Sequence, residues 1–493
     1  MNPTYAAVAV TLVSLATIGI GAFGLRISRT TSDFYVASRS VSPWWNSSAI
    51  GGEYLSAASF LGVAGLVLAY GADMLWYPIG WTAGYLLLLV LVAAPLRRSG
   101  AYTIPDFAQV RLQSVAVRRV ATVLVVGVGW LYLMPQFQGA GLTLRTVADS
   151  PGWLGSVLVA AIVVVNVVSG GMRSITFVQA FQYWLKLTAL LVPLIFLVAA
   201  WRGDGAPSPV DAGDWVGPLG DGPQGLYSTY AVMAATFLGT MGLPHVVVRF
   251  YTNRDGRAAR RTTLVVLVLL GAFYLLPPVY GLLGRVYAGD LVASGHADSV
   301  VLELPGRVLG GTAGDLLGAL VTAGAFAAFL STSSGLTMSV AGVVGQSLAA
   351  TTRLSSIAAL RVAAVVCVLV PLVLSFLTDE IAVASSVTFA FGLAAATFCP
   401  LLVLGIWWRG LTAAGAVAGL VGGGLAAGTA VLLTIVWSPD GWTGTLLAQP
   451  AAWAVPLGFA LMVGVSLATA RRVPATVART MARLHTPEEL LRR

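Results

Sequence analysis

Along this chain, stretches of about 20 apolar residues alternate with short polar segments from end to end, and about 20 helical residues span the ~30 Å hydrocarbon core of a bilayer. Thirteen spans are predicted, over residues 5–25, 44–69, 74–96, 120–144, 153–171, 175–201, 226–248, 262–284, 311–347, 356–377, 381–406, 412–436 and 450–470. The segments between them leave no room for a soluble domain, so the fold class is an all-α integral membrane protein. Span 1 lacks a basic n-region and is long enough to cross, which favours a retained helix over a cleaved signal peptide. Span 9 is too long for a simple crossing and is expected to run on beyond the membrane or to bend. Residues 103–119 read as a short amphipathic helix on the cytoplasmic surface, with Pro105 near its first turn. Residues 202–225, rich in Gly and Pro, read as an irregular loop.

Composition agrees, with 57% hydrophobic and 10% charged residues, against about 25% charged in soluble domains. The net charge of +9 is topological and implies no nucleic-acid partner. With the N-terminus outside, 23 of the 28 basic residues fall in inside segments, including Arg26, Arg29, Arg39, Arg97, Arg98, Arg249, Arg254, Arg492 and Arg493. Outside lie Arg145, Arg202, Arg285 and Arg307, with Asp204, Asp211, Asp214 and Asp221 in the largest outside loop. The positive-inside rule then gives N-out, C-in. Cys367 and Cys399 sit in apolar runs and read as packing residues, not as a disulfide or a metal pair.

Several function classes fall away. Lys186 is the only lysine and follows Leu185, so no GxxxxGK[ST] phosphate loop exists; His245, His296 and His485 form no HExxH pair. No spacing of nucleophile and base supports an enzyme. A channel is expected to assemble rings of short repeats, and thirteen spans in one chain suit a transporter better. A sensor on such a fold would carry an appended signalling domain, and about 23 residues follow span 13. Secondary transporters are often inverted repeats with discontinuous helices at the midplane. Five-span units starting at spans 2 and 7 enter from opposite sides, so they are inverted. This divides the chain into an extra N-terminal helix (5–25), a first repeat (44–201), an inverted second repeat (226–406), two peripheral helices (412–470) and a cytoplasmic tail (471–493).

Three stretches carry candidate chemistry. In span 2, "NSSAIGGEYLSAASFLG" (46–62) places Gly51-Gly52 and Glu53 at membrane depth. The glycines either interrupt the helix and free carbonyls toward a cavity, or allow close helix packing. An intramembrane carboxylate costs about 2.5 kcal/mol or more. Glu53 is a partner for a cation, a proton carrier, or a structural acid bonded across helices, and the structural role is preferred. Lys186, near the middle of span 6, faces the same penalty. It either offers charge to a substrate carboxylate or is neutralised by a carboxylate or carbonyl of a neighbouring helix, and the second is preferred. In span 9, Ser331-Thr332-Ser333-Ser334 is a dense hydroxyl cluster. Such oxygens either ligate a hard cation or bond back to their own helix.

The stretch 33–111, beginning "DFYVASRSVSPWWNSSAIGGEYLSAASFLGVAG", resembles the sodium:solute symporter family, and within it the cation–acetate (short monocarboxylate) symporters. The likeness continues in "GGMRSITFVQAFQYWLKL" (170–187), "GLPHVVVRFYT" (242–252) and "AAFLSTSSGLTMSVAG" (327–342). It implies a five-plus-five inverted-repeat transporter with an added N-terminal helix, in the inner membrane of a bacterium. It also implies a helix break at the glycines of span 2 and a Na+ site made by Gly52, Leu55, Ala328, Ser331 and Thr332, with Na+ as coupling ion. The implied activity is import of acetate, propionate or pyruvate with Na+ or H+, by alternating access. Proline or pantothenate are the alternative solutes. Neither an organic cofactor nor a protein partner is implied.

Overall fold

Among the described residues, eleven helices are long and apolar enough to cross a membrane, and one further crossing is made by two helices, Pro43–Tyr54 and Ala58–Tyr70, bent by 72° where they meet. The computed structural model describes residues 2–25, 41–209, 214–217, 219–377 and 383–487. Arg26, Arg29, Arg39, Asp211, Arg492 and Arg493, which the charge pattern assigns to loops and tail, lie outside the described residues.

One of the eleven, Gly152–Gly203, has 52 residues, roughly 78 Å at 1.5 Å per residue, more than twice a hydrocarbon core. Gly171, at φ 61° and ψ −168°, breaks it into two. Only a glycine takes that backbone without strain, so "SGGM" is where span 5 turns into span 6. Counted as two, this helix brings the crossings to thirteen, the number read from hydropathy. Span 9 is an uninterrupted 41-residue helix, Gly311–Thr351. It runs on without a break.

The 103–119 segment is corrected. Thr103 caps a helix over Ile104–Leu112 by accepting from the Asp106 amide, with Pro105 in its first turn as read. The helix ends at Gln113, and Val115 already starts the 34-residue helix of span 4. Nor is the short helix purely a surface element, because Arg111 is buried and donates from Nε to the Gly405 carbonyl (2.8 Å) and from Nη2 to that of Trp408 (3.0 Å). It thereby caps the end of span 11 (Val383–Trp407), where orphan carbonyls need donors. Cys367 and Cys399 are free and buried, as packing residues are.

A second break, absent from the sequence reading, interrupts span 7. Helices Gly222–Gly242 and Pro244–Tyr251 meet at Leu243, at φ −69° and ψ 119°. The cause is local: a residue before proline is pushed out of the helical region, and Pro244 follows. The two breaks fall in the first helix of each predicted repeat.

Candidate functional site

Span 2 stays helical through its two glycines. The Leu55 amide still donates to the Gly51 carbonyl (3.1 Å), and the chain leaves the helix only at Leu55, at φ −74° and ψ 88°. The expected interruption at Gly51-Gly52 is therefore corrected to residues 55–57. The glycines serve close packing instead. A Cβ on Gly52 would come within 2.1 Å of the Gln179 carbonyl oxygen, and one on Gly51 within 2.8 Å of the Tyr183 ring. Span 6 lies directly against span 2 because those positions carry no side chain.

A helix that stops leaves its last carbonyls without amide partners, at the negative end of its dipole. Here three of them have identifiable partners. The Lys186 ammonium of span 6 donates to Gly52 O (2.5 Å) and Leu55 O (2.7 Å), while the Thr332 hydroxyl of span 9 donates to Glu53 O (2.7 Å). Lys186 places its third proton on Ser331 Oγ (2.9 Å), whose own proton goes to Ala328 O (3.0 Å). Of the five residues that the family resemblance assigned to sodium, Gly52, Leu55 and Ser331 thus converge on one point, and Ala328 stands one hydrogen bond behind it. Thr332 spends its proton elsewhere. The point of convergence is the Lys186 nitrogen. Lys186 is thus hydrogen-bonded to carbonyls of a neighbouring helix, one of the partners the preferred reading named. The hydroxyl cluster divides: Ser331 bonds back to its own helix and also accepts from Lys186 of span 6, while Ser333 and Ser334 are buried without partners.

Glu53 is bound by a residue that sequence reasoning placed in a cytoplasmic loop. Arg249 lies on the second half of span 7, fully buried, and its Nε donates to Glu53 Oε2 (2.6 Å). The same guanidinium donates to Thr176 Oγ1 (2.9 Å) and to Gln179 Oε1, while Gln179 Nε2 donates to Ser331 O (2.8 Å). Arg249, Gln179, Glu53, Lys186 and Ser331 therefore form one buried network across spans 2, 6, 7 and 9. Glu53 Oε1 has no hydrogen-bond partner and packs on Gly335, where a Cβ would sit 2.1 Å away. Glu53 is bonded across helices to Arg249, the contact that the structural reading expects. A signal for Arg249 existed: a carboxylate at membrane depth demands a cation, and Arg249 is five residues past the Pro244 that breaks span 7.

Beyond the break, the Ala57 amide opens the second half-helix and donates to Gln136 Oε1 (2.9 Å). Aromatic rings gather alongside. Phe391 lies 5.8 Å from both Trp81 and Tyr132 and 6.4 Å from Tyr54; Tyr132 stacks on His245 at 5.1 Å, and Tyr54 meets Tyr85 edge-on at 4.9 Å. Trp81 Nε1, the Tyr85 hydroxyl and both ring nitrogens of His245 are buried without hydrogen-bond partners. Buried polar atoms are rarely left so. His245 stands at the start of the second half of span 7, and Gln136, which accepts from the Ala57 amide, donates to the Tyr132 carbonyl (3.1 Å), so both half-helix N-termini adjoin this aromatic cluster.

Comparisons with known proteins agree with this architecture. The sodium:solute symporter family model matches residues 34–423. An uncharacterised symporter of Bacillus subtilis, YwcA, is 31% identical, with 93% of each chain covered. A monocarboxylic acid transporter of Corynebacterium glutamicum is also 31% identical, over 90% of this chain and 86% of its own. Among solved structures, a Na+-coupled sialic acid symporter in a substrate-bound outward-open state superposes with a TM-score of 0.69 at 14% identity, covering 93% of this chain and 98% of that one. The nucleobase-cation-symport transporter Mhp1 superposes at 0.53 with 15% identity, covering 92% and 99%. At such identities these structures establish the fold, an inverted-repeat transporter core, and nothing finer. With the family model covering most of its length, the chain belongs to the sodium:solute symporter family.

Proposed function

We propose that this multi-pass membrane protein is a symporter that imports a short monocarboxylate (acetate, propionate or pyruvate) with a cation, by alternating access around the two helix breaks. The observation that carries this reading is the set of unpartnered donors, Trp81 Nε1, Tyr85 OH and His245, gathered beside two half-helix N-termini. N-termini favour an anion through their free amides and dipole, and aromatic walls suit a small apolar tail. The name of the Corynebacterium relative supports the same substrate class.

Competition tests the substrate. In proteoliposomes, with uptake by protein-free vesicles subtracted, excess propionate and pyruvate are expected to suppress labelled acetate uptake, while proline and glucose leave it unchanged. Suppression by proline in place of propionate would move the chain to another substrate branch.

We further propose the N-out, C-in orientation in the plasma membrane of a bacterium, on the distribution of basic residues. A reporter fused after Arg493 is expected to be active only in the cytoplasm. Periplasmic activity of that fusion would reject the orientation.

A further inference from the structure

We propose that the Lys186 ammonium is a tethered cation, holding permanently the position at which the family resemblance expects sodium. Its bonding supports this. The nitrogen reaches three acceptors, Gly52 O, Leu55 O and Ser331 Oγ, at 2.5, 2.7 and 2.9 Å. Two are carbonyls, and the third has its only proton committed to Ala328 O. None of them has a proton to give back. A neutral amine has two N–H groups and a lone pair, so one acceptor would face that lone pair; an ammonium satisfies all three. No carboxylate is left to pair with it. The only acidic group in this network, Glu53, is already bonded to Arg249. Lys186 therefore stands as a surplus positive charge in a cage of neutral oxygens at a helix C-terminus, as an unpaired monovalent ion would.

Sodium does not fit beside it. The oxygens that would replace its hydration shell are engaged, and the ammonium repels a second cation at contact distance. This position therefore confers no sodium requirement, and the inference rests on the symporter reading only for its transport readout. Removing the ammonium while leaving the oxygens should uncover a sodium site.

Thermal unfolding of the purified protein tests this without transport. The wild type is expected to unfold at the same temperature in sodium chloride and in choline chloride of equal concentration. Lys186→Ala is expected to be stabilised by sodium. Lys186→Met keeps the bulk of the stem without its charge and is expected to show no sodium response. In proteoliposomes, wild-type acetate uptake should be unchanged when choline replaces sodium. Lys186→Ala should fall roughly 10- to 100-fold in choline, the scale of losing hydrogen bonds to a charged group, and recover when sodium is added. Equal sodium stabilisation of the wild type and Lys186→Ala overturns the proposal, as does a folded Lys186→Ala that ignores sodium. Should Lys186→Ala not fold, the wild type decides: a sodium shift that Ser331→Ala abolishes overturns the proposal, and no shift supports it. Thermal responses as expected in a protein that moves no acetate would reject the substrate reading and leave the tethered cation standing.

Discussion

Removing one partner of the Arg249–Glu53 pair is expected to destabilise the protein by about 3–5 kcal/mol, the scale for an uncompensated buried charge. Both side chains are buried, with Arg249 Nε 2.6 Å from Glu53 Oε2. Arg249→Met strands a carboxylate among span 2, span 6 and Gly335. Glu53→Gln instead leaves two buried cations, Arg249 and Lys186, with no anion in the network. The double variant Glu53→Gln/Arg249→Met leaves Lys186 on its three oxygens and removes both members of the pair. Its cost is therefore expected to be well below the sum of the single costs. Thermal unfolding in detergent, run as a double-mutant cycle, reads the coupling directly. Additive losses would mean that the pair contributes nothing beyond its separate side chains.

That pair also shows where the sequence is legible and where it is not. Crossing a bilayer is a property of about 20 consecutive residues, so hydropathy finds the thirteen spans. Likewise Glu53 and Lys186 announce themselves, because an ionisable group at membrane depth is costly wherever it points. Their partners are 196 and 131 or more positions away in sequence, and nothing local encodes such a meeting. Arg249 was hidden for a related reason. It leads a run of basic residues, "RFYTNRDGRAARR", and charge counting assigns the whole run to one loop. In the structure the run divides. Arg249 stays in the half-helix, and Asn253 is tied back to span 2 through Asn46 Nδ2 (3.2 Å). The break in span 2 was misplaced because glycine signals both a broken helix and a close neighbour. Only the neighbour, span 6, distinguishes the two.

Adjacent glycines should consequently behave differently when substituted. Gly52→Ala puts a Cβ 2.1 Å from a backbone oxygen, Gln179 O, and backbone cannot rotate aside. Span 6 would have to retreat by more than about 1 Å to restore ordinary van der Waals contact. Lys186 rides on that helix with Gly52 O at 2.5 Å, so the same retreat stretches its hydrogen bond past useful length. Gln179, which links Arg249 to Ser331, moves with it. Overpacking of this kind costs roughly 1–3 kcal/mol, and the lost cage around the ammonium adds a charged hydrogen bond's worth, about 1.5–3 kcal/mol. Uptake per folded molecule is expected to fall on the order of 100-fold. Gly51→Ala meets the Tyr183 ring at 2.8 Å, a buried side chain and not backbone, so the ring can yield where the Gln179 carbonyl cannot, and uptake is expected to fall on the order of 10-fold, about 1.4 kcal/mol. Labelled acetate uptake, normalised to protein recovered in the membrane, compares the two. Equal activity of the Gly51 and Gly52 variants would show that spans 2 and 6 do not meet at backbone distance, and the cage around Lys186 would lose its geometric basis.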